Sequence, residues 1–280
     1  MKKDNYKTYI ELNTDVLSFI GYMVDNYGKV VALEPNYPKS EEIARKHHDY
    51  VYFCITKAAR SLIAANELAK IGFGEDVMTL VRTVYETYLL LGNAIMDRKF
   101  IIKAITISLG LRENYFVHPK TKSGKKDYSK VKLKGSEKEI DYNMSKPFLA
   151  RNTFCNIDGK LHSEFYKYMS EHSHSDFIGS GNYRACNNTR YDVEVDALYL
   201  DTVYVIMYMS FLIIQSIRKY HRDYDELYLD SLYIKEILEI SVLEKTLKDK
   251  LILVLSELDF AGGNNHFKEL FIERLNYDLS

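Results

Sequence analysis

The sequence predicts an all-α protein, a multi-helix bundle with a central apolar helix and a C-terminal helical appendage. Three observations lead there. Only 4 Pro and 13 Gly punctuate 280 residues, too few for the turns that an all-β chain of this size requires. Apolar residues recur at helical spacing through most of the chain. Residues 202–217 contain no charged side chain at all.

Taken in order, residues 6–27 set Tyr9, Leu12, Val16, Phe19, Ile20 and Met23 on one helical stripe, which Gly28, Pro35 and Pro38 bring to an end. Ser40 followed by two Glu opens a second helix with a capping residue and acids in its first turn. It runs without Pro or Gly to Ile71, and Gly72 is a natural stop after a helix. A third helix spans Glu75 to about Asp97, and a fourth runs from about Arg98 to Phe116. Residues 118–147 are polar, basic and turn-rich, and read as an exposed loop. A short helix covers about His162 to His174, and a long one about Val193 to Tyr220. The uncharged run in the latter is shorter than the roughly 18 residues of a membrane span, so it reads as a buried core helix. Helices over Tyr228–Leu258 and His266–Leu275 complete the chain. The expected organisation is a main helical domain over 1–224, with the basic loop at about 118–147, and a helical appendage over 225–280.

Composition narrows function mainly by exclusion. Hydrophobic residues make up 46% and charged residues 28%, an ordinary globular balance. The net charge of −1 announces no polyanionic partner through a global field. Cys54, Cys155 and Cys186 are widely spaced and form no C-x-x-C, which fits reduced thiols in a cytoplasmic protein. The first residues lack the apolar stretch of a signal peptide, and we expect no membrane association. No Gly-rich phosphate loop or nucleophile elbow is present, so nucleotide-fuelled and Ser-hydrolase chemistry are disfavoured. No HExxH or Cys/His cluster supports a metal, and no cofactor is expected. With 24 Tyr in the chain, a single Tyr carries little meaning.

Two segments carry candidate chemistry. In Leu80-Val-Arg82-Thr-Val-Tyr85-Glu86, the i, i+4 spacing sets the Arg82 guanidinium beside the Glu86 carboxylate, with apolar neighbours on both sides. A pair pressed against the interior must be well hydrogen-bonded to offset its desolvation, which suggests a role beyond stability. The alternative is a partly exposed helix salt bridge worth about 0.3–0.5 kcal/mol. In the second segment, Tyr166, Ser170 and His174 fall at i, i+4 and i+8, in line on one stripe. His172 and His174 then point to different sides, which argues against a shared metal.

Together these segments resemble a bacterial all-helical family of unknown function that combines an R-x-x-x-E helix with a downstream Y-x-x-x-S-x-x-x-H helix. The matching positions are Ala58, Leu62, Gly72, Leu80, Arg82 and Glu86 upstream, and Tyr166, Ser170 and His174 downstream. The resemblance covers about residues 40–220. It implies a site but no reaction. After the His, Ser175 stands for the family's usual small residue and is followed by the acidic Asp176, a mild departure. A more distant likeness is to the HEPN superfamily of helical bundles, which includes metal-independent ribonucleases with an R-x(4–6)-H motif. Arg112 and His118 fit that spacing, at a helix end beside the basic loop.

The leading expectation is therefore a nucleic-acid-directed helical effector, a metal-independent ribonuclease of a toxin or phage-defence system. His174 would exchange a proton with a ribose hydroxyl, Arg82 would stabilise charge on phosphorus, and Glu86 would hold Arg82. Tyr166 and Ser170 would position the phosphate or the imidazole, with Arg112 and His118 as the competing pair. Lys120, Lys122, Lys125 and Lys126 in the basic loop would contact RNA. The competing expectation is a non-catalytic sensor or partner-binding module, in which Arg82, Glu86 and His174 form a structural network and residues 225–280 meet a partner protein. A homodimer is expected under either, because the long apolar helix and the tail offer more apolar surface than a monomer easily covers.

Overall fold

A computed structural model describes residues 3–28, 39–173, 184–185, 190–191, 199–224, 234–257 and 265–277. Among the described residues the protein is all-α, with nine helices and two small antiparallel sheets. The helices are α1 (Lys3–Tyr27), α2 (Lys39–Lys70), α3 (Gly74–Met96), α4 (Arg98–Arg112), α5 (Lys146–Arg151), α6 (Ile157–Ser173), α7 (Tyr199–Tyr224), α8 (Ile234–Glu257) and α9 (Asn265–Leu275).

The two central helices are α3 and α7. Helix α3 packs against α2, α4, α5, α6 and α7, while α7 packs against α1, α2, α3 and α8. That environment explains the apolar character of α7. Val203 to Ile214 is buried without interruption, and α7 is long and apolar enough to cross a membrane but sits 89% buried among other helices. A helix apolar on every side needs neighbours on every side, and the bundle supplies them.

Local sequence chemistry sets several boundaries. Helix α2 ends as Gly72 expects. The N–H of Gly72 donates to the Ala69 carbonyl at 3.2 Å and that of Phe73 to the Leu68 carbonyl at 3.0 Å, with Gly72 at φ 85°. This paired arrangement satisfies the last carbonyls of the helix and requires a left-handed residue, which Gly adopts without a Cβ penalty. Asp97 is the whole connection between α3 and α4, and its carboxylate accepts from the Lys99 N–H at 2.9 Å as an N-cap.

Two elements depart from the sequence reading. Helix α4 stops at Arg112 rather than continuing to Phe116. Asn114 turns the chain at φ 60°, and Phe116 folds back over Gly110, where an added Cβ would lie 2.1 Å from the ring. The segment after it is not only a loop. Strands β1 (Phe116–Val117), β2 (Lys130–Leu133) and β3 (Glu139–Asp141) form an antiparallel sheet in the order β1-β2-β3. The alternation Lys130-Val-Lys-Leu133 is the period of a strand, and it buries Val131 completely. A second pairing joins β4 (Arg184–Ala185) to β5 (Arg190–Tyr191).

The C-terminal helices are tied into the bundle. Helix α8 lies along α7, and α9 packs against α6. Arg274 of α9 is fully buried. Its Nε donates to Asp158 Oδ1 at 2.7 Å, Nη1 to Gln215 Oε1 at 2.8 Å and Nη2 to the Tyr88 hydroxyl at 3.0 Å. Tyr88 and Thr153 donate in turn to Asp158 Oδ2 at 2.5 and 2.7 Å. The charge pair is thus enclosed, with a partner for each guanidinium nitrogen and each carboxylate oxygen, which lowers the cost of burying it.

Candidate functional site

Helices α3 and α6 run against one another, and the outward turn of α3 carries Arg82 and Glu86. Both are half-exposed rather than buried, with side chains 27% and 31% accessible, and Arg82 Nε lies 3.7 Å from Glu86 Oε1. What joins them is Tyr166 from α6. Its hydroxyl accepts from Arg82 Nε at 3.2 Å and Nη2 at 2.8 Å, and donates to Glu86 Oε1 at 2.9 Å. The guanidinium also lies over the Tyr166 ring, 4.8 Å from its centroid, in cation–π geometry. One phenol therefore fixes both members of the ion pair.

A fourth residue completes the cluster from a third element. Lys146, first residue of α5, places Nζ 3.0 Å from Glu86 Oε2. Burial pushes the Glu86 carboxyl up. Hydrogen bonds from Lys146 and Tyr166, with the charges of Lys146 and Arg82, outweigh that effect and hold it below the usual carboxylate range. Glu86 is ionised at neutral pH, and among the described residues it engages both the Lys146 ammonium and the Arg82 guanidinium. Tyr166 is shifted upward, chiefly by burial and by Glu86 against the opposing pull of Arg82, and stays a neutral phenol.

Below Tyr166 the aromatic packing leads inward to His162, one turn earlier on α6, whose ring centroid lies 5.2 Å from that of Tyr166. His162 Nδ1 is 3.2 Å from the Tyr85 hydroxyl, and Tyr85 stacks on the imidazole at 5.8 Å. Burial, then the Lys146 charge, lowers the His162 pKa, so the ring is neutral at pH 7.

The candidate residues are distributed as follows. Arg82, Glu86 and Tyr166 meet at one point. Ser170 lies one turn beyond Tyr166 and donates to its carbonyl at 2.7 Å. His174 lies outside the described residues, as does the side chain of His172. Arg112, at the end of α4, is exposed and pairs with its neighbour Glu113 at 3.0 Å. His118 Nδ1 is 2.8 Å from the Lys130 carbonyl, within the small sheet. No hydrogen bond or ion pair joins Arg112 to His118. Lys120, Lys122, Lys125 and Lys126 are all exposed, with Lys120 and Lys126 facing each other across an isolated antiparallel bridge. Among the described residues, no group of three His, Cys, Asp or Glu side chains is arranged to hold a metal ion.

Sequence reasoning missed two members of this neighbourhood. His162 had a signal, since it extends the stripe of Tyr166, Ser170 and His174 by one turn toward the N-terminus. Lys146 had none, because its partner lies 60 positions away on another helix. A separate groove of about 750 Å³ is lined by residues that include Phe100, Lys103, Tyr142, Phe148 and Arg151. It does not include Arg82, Glu86 or Tyr166.

Comparison with known proteins finds one family model, described as a family of unknown function (DUF5677), matching residues 48–191. That stretch is more than half of the chain and contains Arg82, Glu86, Lys146, His162 and Tyr166, while α7, α8 and α9 lie beyond it. No curated protein and no solved structure matches the chain.

Proposed function

The chain belongs to the DUF5677 family of unknown function, and from that premise we propose that it acts on nucleic acid as a metal-independent ribonuclease, in the manner of a bacterial toxin or phage-defence effector. The observation that carries this reading is the convergence of Arg82, Glu86 and Tyr166 from two helices, joined by Lys146 from a third, at a half-exposed point. A guanidinium and an ammonium on neighbouring elements are groups that suit the negative charge of a phosphodiester. Arg82 would stabilise the charge developing on phosphorus, and Glu86 and Tyr166 would hold the guanidinium in place. His174 would exchange a proton with the ribose 2′-hydroxyl. The exposed Lys120, Lys122, Lys125 and Lys126 would add the sequence-independent attraction of a nucleic-acid-binding segment.

Arg112 and His118, the pair suggested by the distant likeness to HEPN ribonucleases, are the weaker candidates for this chemistry. Arg112 is engaged by Glu113 at the surface, and neither residue is held to the other. The deciding experiment is RNA cleavage by purified protein in EDTA. Wild type is expected to cleave, Arg82→Ala and His174→Ala to lose cleavage, and His118→Ala to retain it. An inactive wild type, or cleavage at the wild-type rate in Arg82→Ala and His174→Ala, defeats the reading.

A second reading is favoured by a different observation. Helix α8 leaves Ile237, Leu238 and Val242 exposed, the last two more than 60% accessible. Large apolar side chains grouped on one helix suit a partner surface. In this reading the chain is a cytoplasmic binding module, or a homodimer through its C-terminal region, and the Arg82 cluster fixes the α3–α6 register. Sedimentation of wild type against Leu238→Glu/Val242→Glu distinguishes a self-associating surface from a free one.

A further inference from the structure

We infer that the exposed face of α8 is the interface of a homodimer, in which α8 lies antiparallel along α8 of a second copy and Lys245 of each chain meets Asp249 of the other. This rests on the second reading above and names its partner, a second copy of this chain, together with the register of the contact.

Helix α8 is 24 residues long and packs against α7 and α9, burying Ile240, Leu247 and Leu251 among others. Its opposite face carries Leu238, Val242, Lys245, Asp249, Ile252 and Ser256, all exposed, with exposed Leu253 beside Ile252. The intervals of four, three, four, three and four residues are the a and d spacing of a coiled coil. Residues so spaced stay on one side of a helix and form a single seam, here about 27 Å long. A helix with large apolar side chains on two opposite faces has a use for a neighbour on each, and α7 supplies only one.

The order of residues along the seam says what supplies the other. Leu238 and Val242 lie on one side of its middle, Ile252 and Leu253 on the other, and a cation and an anion stand between them. Reversing the helix direction exchanges the two apolar ends and also exchanges Lys245 with Asp249. The seam is therefore complementary to itself about a two-fold axis at the level of Leu247, as an isologous contact requires. At about 1.5 Å per residue, Lys245 and Asp249 lie about 3 Å either side of that level, and Val242 and Ile252 about 7.5 Å. Lys245 thus falls opposite the partner's Asp249, and Val242 opposite the partner's Ile252. A parallel pair would set lysine against lysine and aspartate against aspartate, which is repulsive.

Within one chain the two charges do not satisfy each other. Lys245 and Asp249 stand one turn apart, yet neither makes a hydrogen bond or ion pair among the described residues. Lysine before the acid is the poorer order for a pair along one helix. Lys248 flanks the seam near the axis and opposes the contact, but its long stem lets the ammonium turn to water. Charged layers in an otherwise apolar seam weaken association and fix its register.

The test is sedimentation of the full chain over a range of concentrations. Wild type is expected to dimerise reversibly. Lys245→Glu and Asp249→Lys each set like charges against each other twice across the axis, and each should weaken the dimer about tenfold or more. The two variants mixed in equal amounts should associate again, as should the double variant. Disulfide trapping, with the linked peptides identified by mass, reads the orientation. Val242→Cys and Ile252→Cys should each fail to link to themselves, because like positions lie about 15 Å apart along the axis, and should link to one another when mixed. All these positions are exposed, and circular dichroism checks that the variants fold. Unchanged association in both charge variants, no recovery on mixing, or Val242→Cys linked to itself overturns the inference. A dimer lost in Leu238→Glu/Val242→Glu but indifferent to charge inversion defeats this pairing and leaves a homodimer through the C-terminal region standing. A wild type that stays monomeric at every concentration defeats both.

Discussion

Arg274 and Asp158, 116 positions apart in sequence, form an ion pair with Nε–Oδ1 2.7 Å in which both side chains are essentially inaccessible, at 0% and 3%. The pair fastens the last helix to the first turn of α6, the helix that carries His162 and Tyr166. The position of the C-terminal region and the placement of the candidate site are therefore physically linked through one buried contact.

Truncating one partner of that pair leaves the other as a buried charge without compensation. Arg274→Met is expected to destabilise the protein by about 3–5 kcal/mol. Adding Asp158→Asn removes the stranded carboxylate and should restore a sizeable part of the loss. Urea unfolding of wild type, both single variants and the double variant measures the coupling directly. Additive single effects would show that the two residues do not act as a pair.

The Arg82–Glu86–Lys146 cluster should behave differently, because its members are 27–32% accessible and water screens their charges. Glu86→Ala is expected to lower stability by about 1 kcal/mol or less. A change of several kcal/mol in the same melts would assign the cluster a structural role and favour the binding-module reading.

Acid should weaken the fold through its buried histidines. Burial pushes His47 down to about 4, although its bond to the Ala94 carbonyl partly opposes the shift, and burial also lowers His48 and His162. An unfolded histidine titrates near 6.5, so below that pH the unfolded chain binds more protons than the folded one. The stabilisation is complete above about pH 6.5 and is lost as pH falls toward about 4. Denaturant unfolding between pH 7.5 and 4.5 should show a steady decline that is shallower in His47→Gln. A flat profile in wild type contradicts the assignment.

Gly110 offers a steric test of the turn that ends α4. A methyl group there would lie 2.1 Å from the Phe116 ring, so Gly110→Ala must displace the ring. The expected cost is about 1–3 kcal/mol, as for other overpacked contacts. Phe116→Leu should relieve it in part. If Gly110→Ala alone is neutral, the close approach of β1 to α4 is not what stops the helix.

Much of this architecture follows from residues acting on near neighbours. The helical stripes, the stop at Gly72 and the adjacency of Arg82 and Glu86 all arise from the geometry of one helical turn, and they can be read without knowing the fold. The strand alternation at Lys130–Leu133 belongs to the same class, although the surrounding polar residues obscured it. The partners that complete the candidate site are of another kind. Tyr166 reaches Arg82 across 84 positions, Lys146 reaches Glu86 from a third helix, and Arg274 enters the core from the last one. No periodicity links such residues. Whether a surface arginine meets a particular tyrosine depends on how α3, α5 and α6 pack, and packing is set by many side chains filling one volume together. The sequence by itself determined the helices and which residues each could offer; the tertiary structure decided which of them meet.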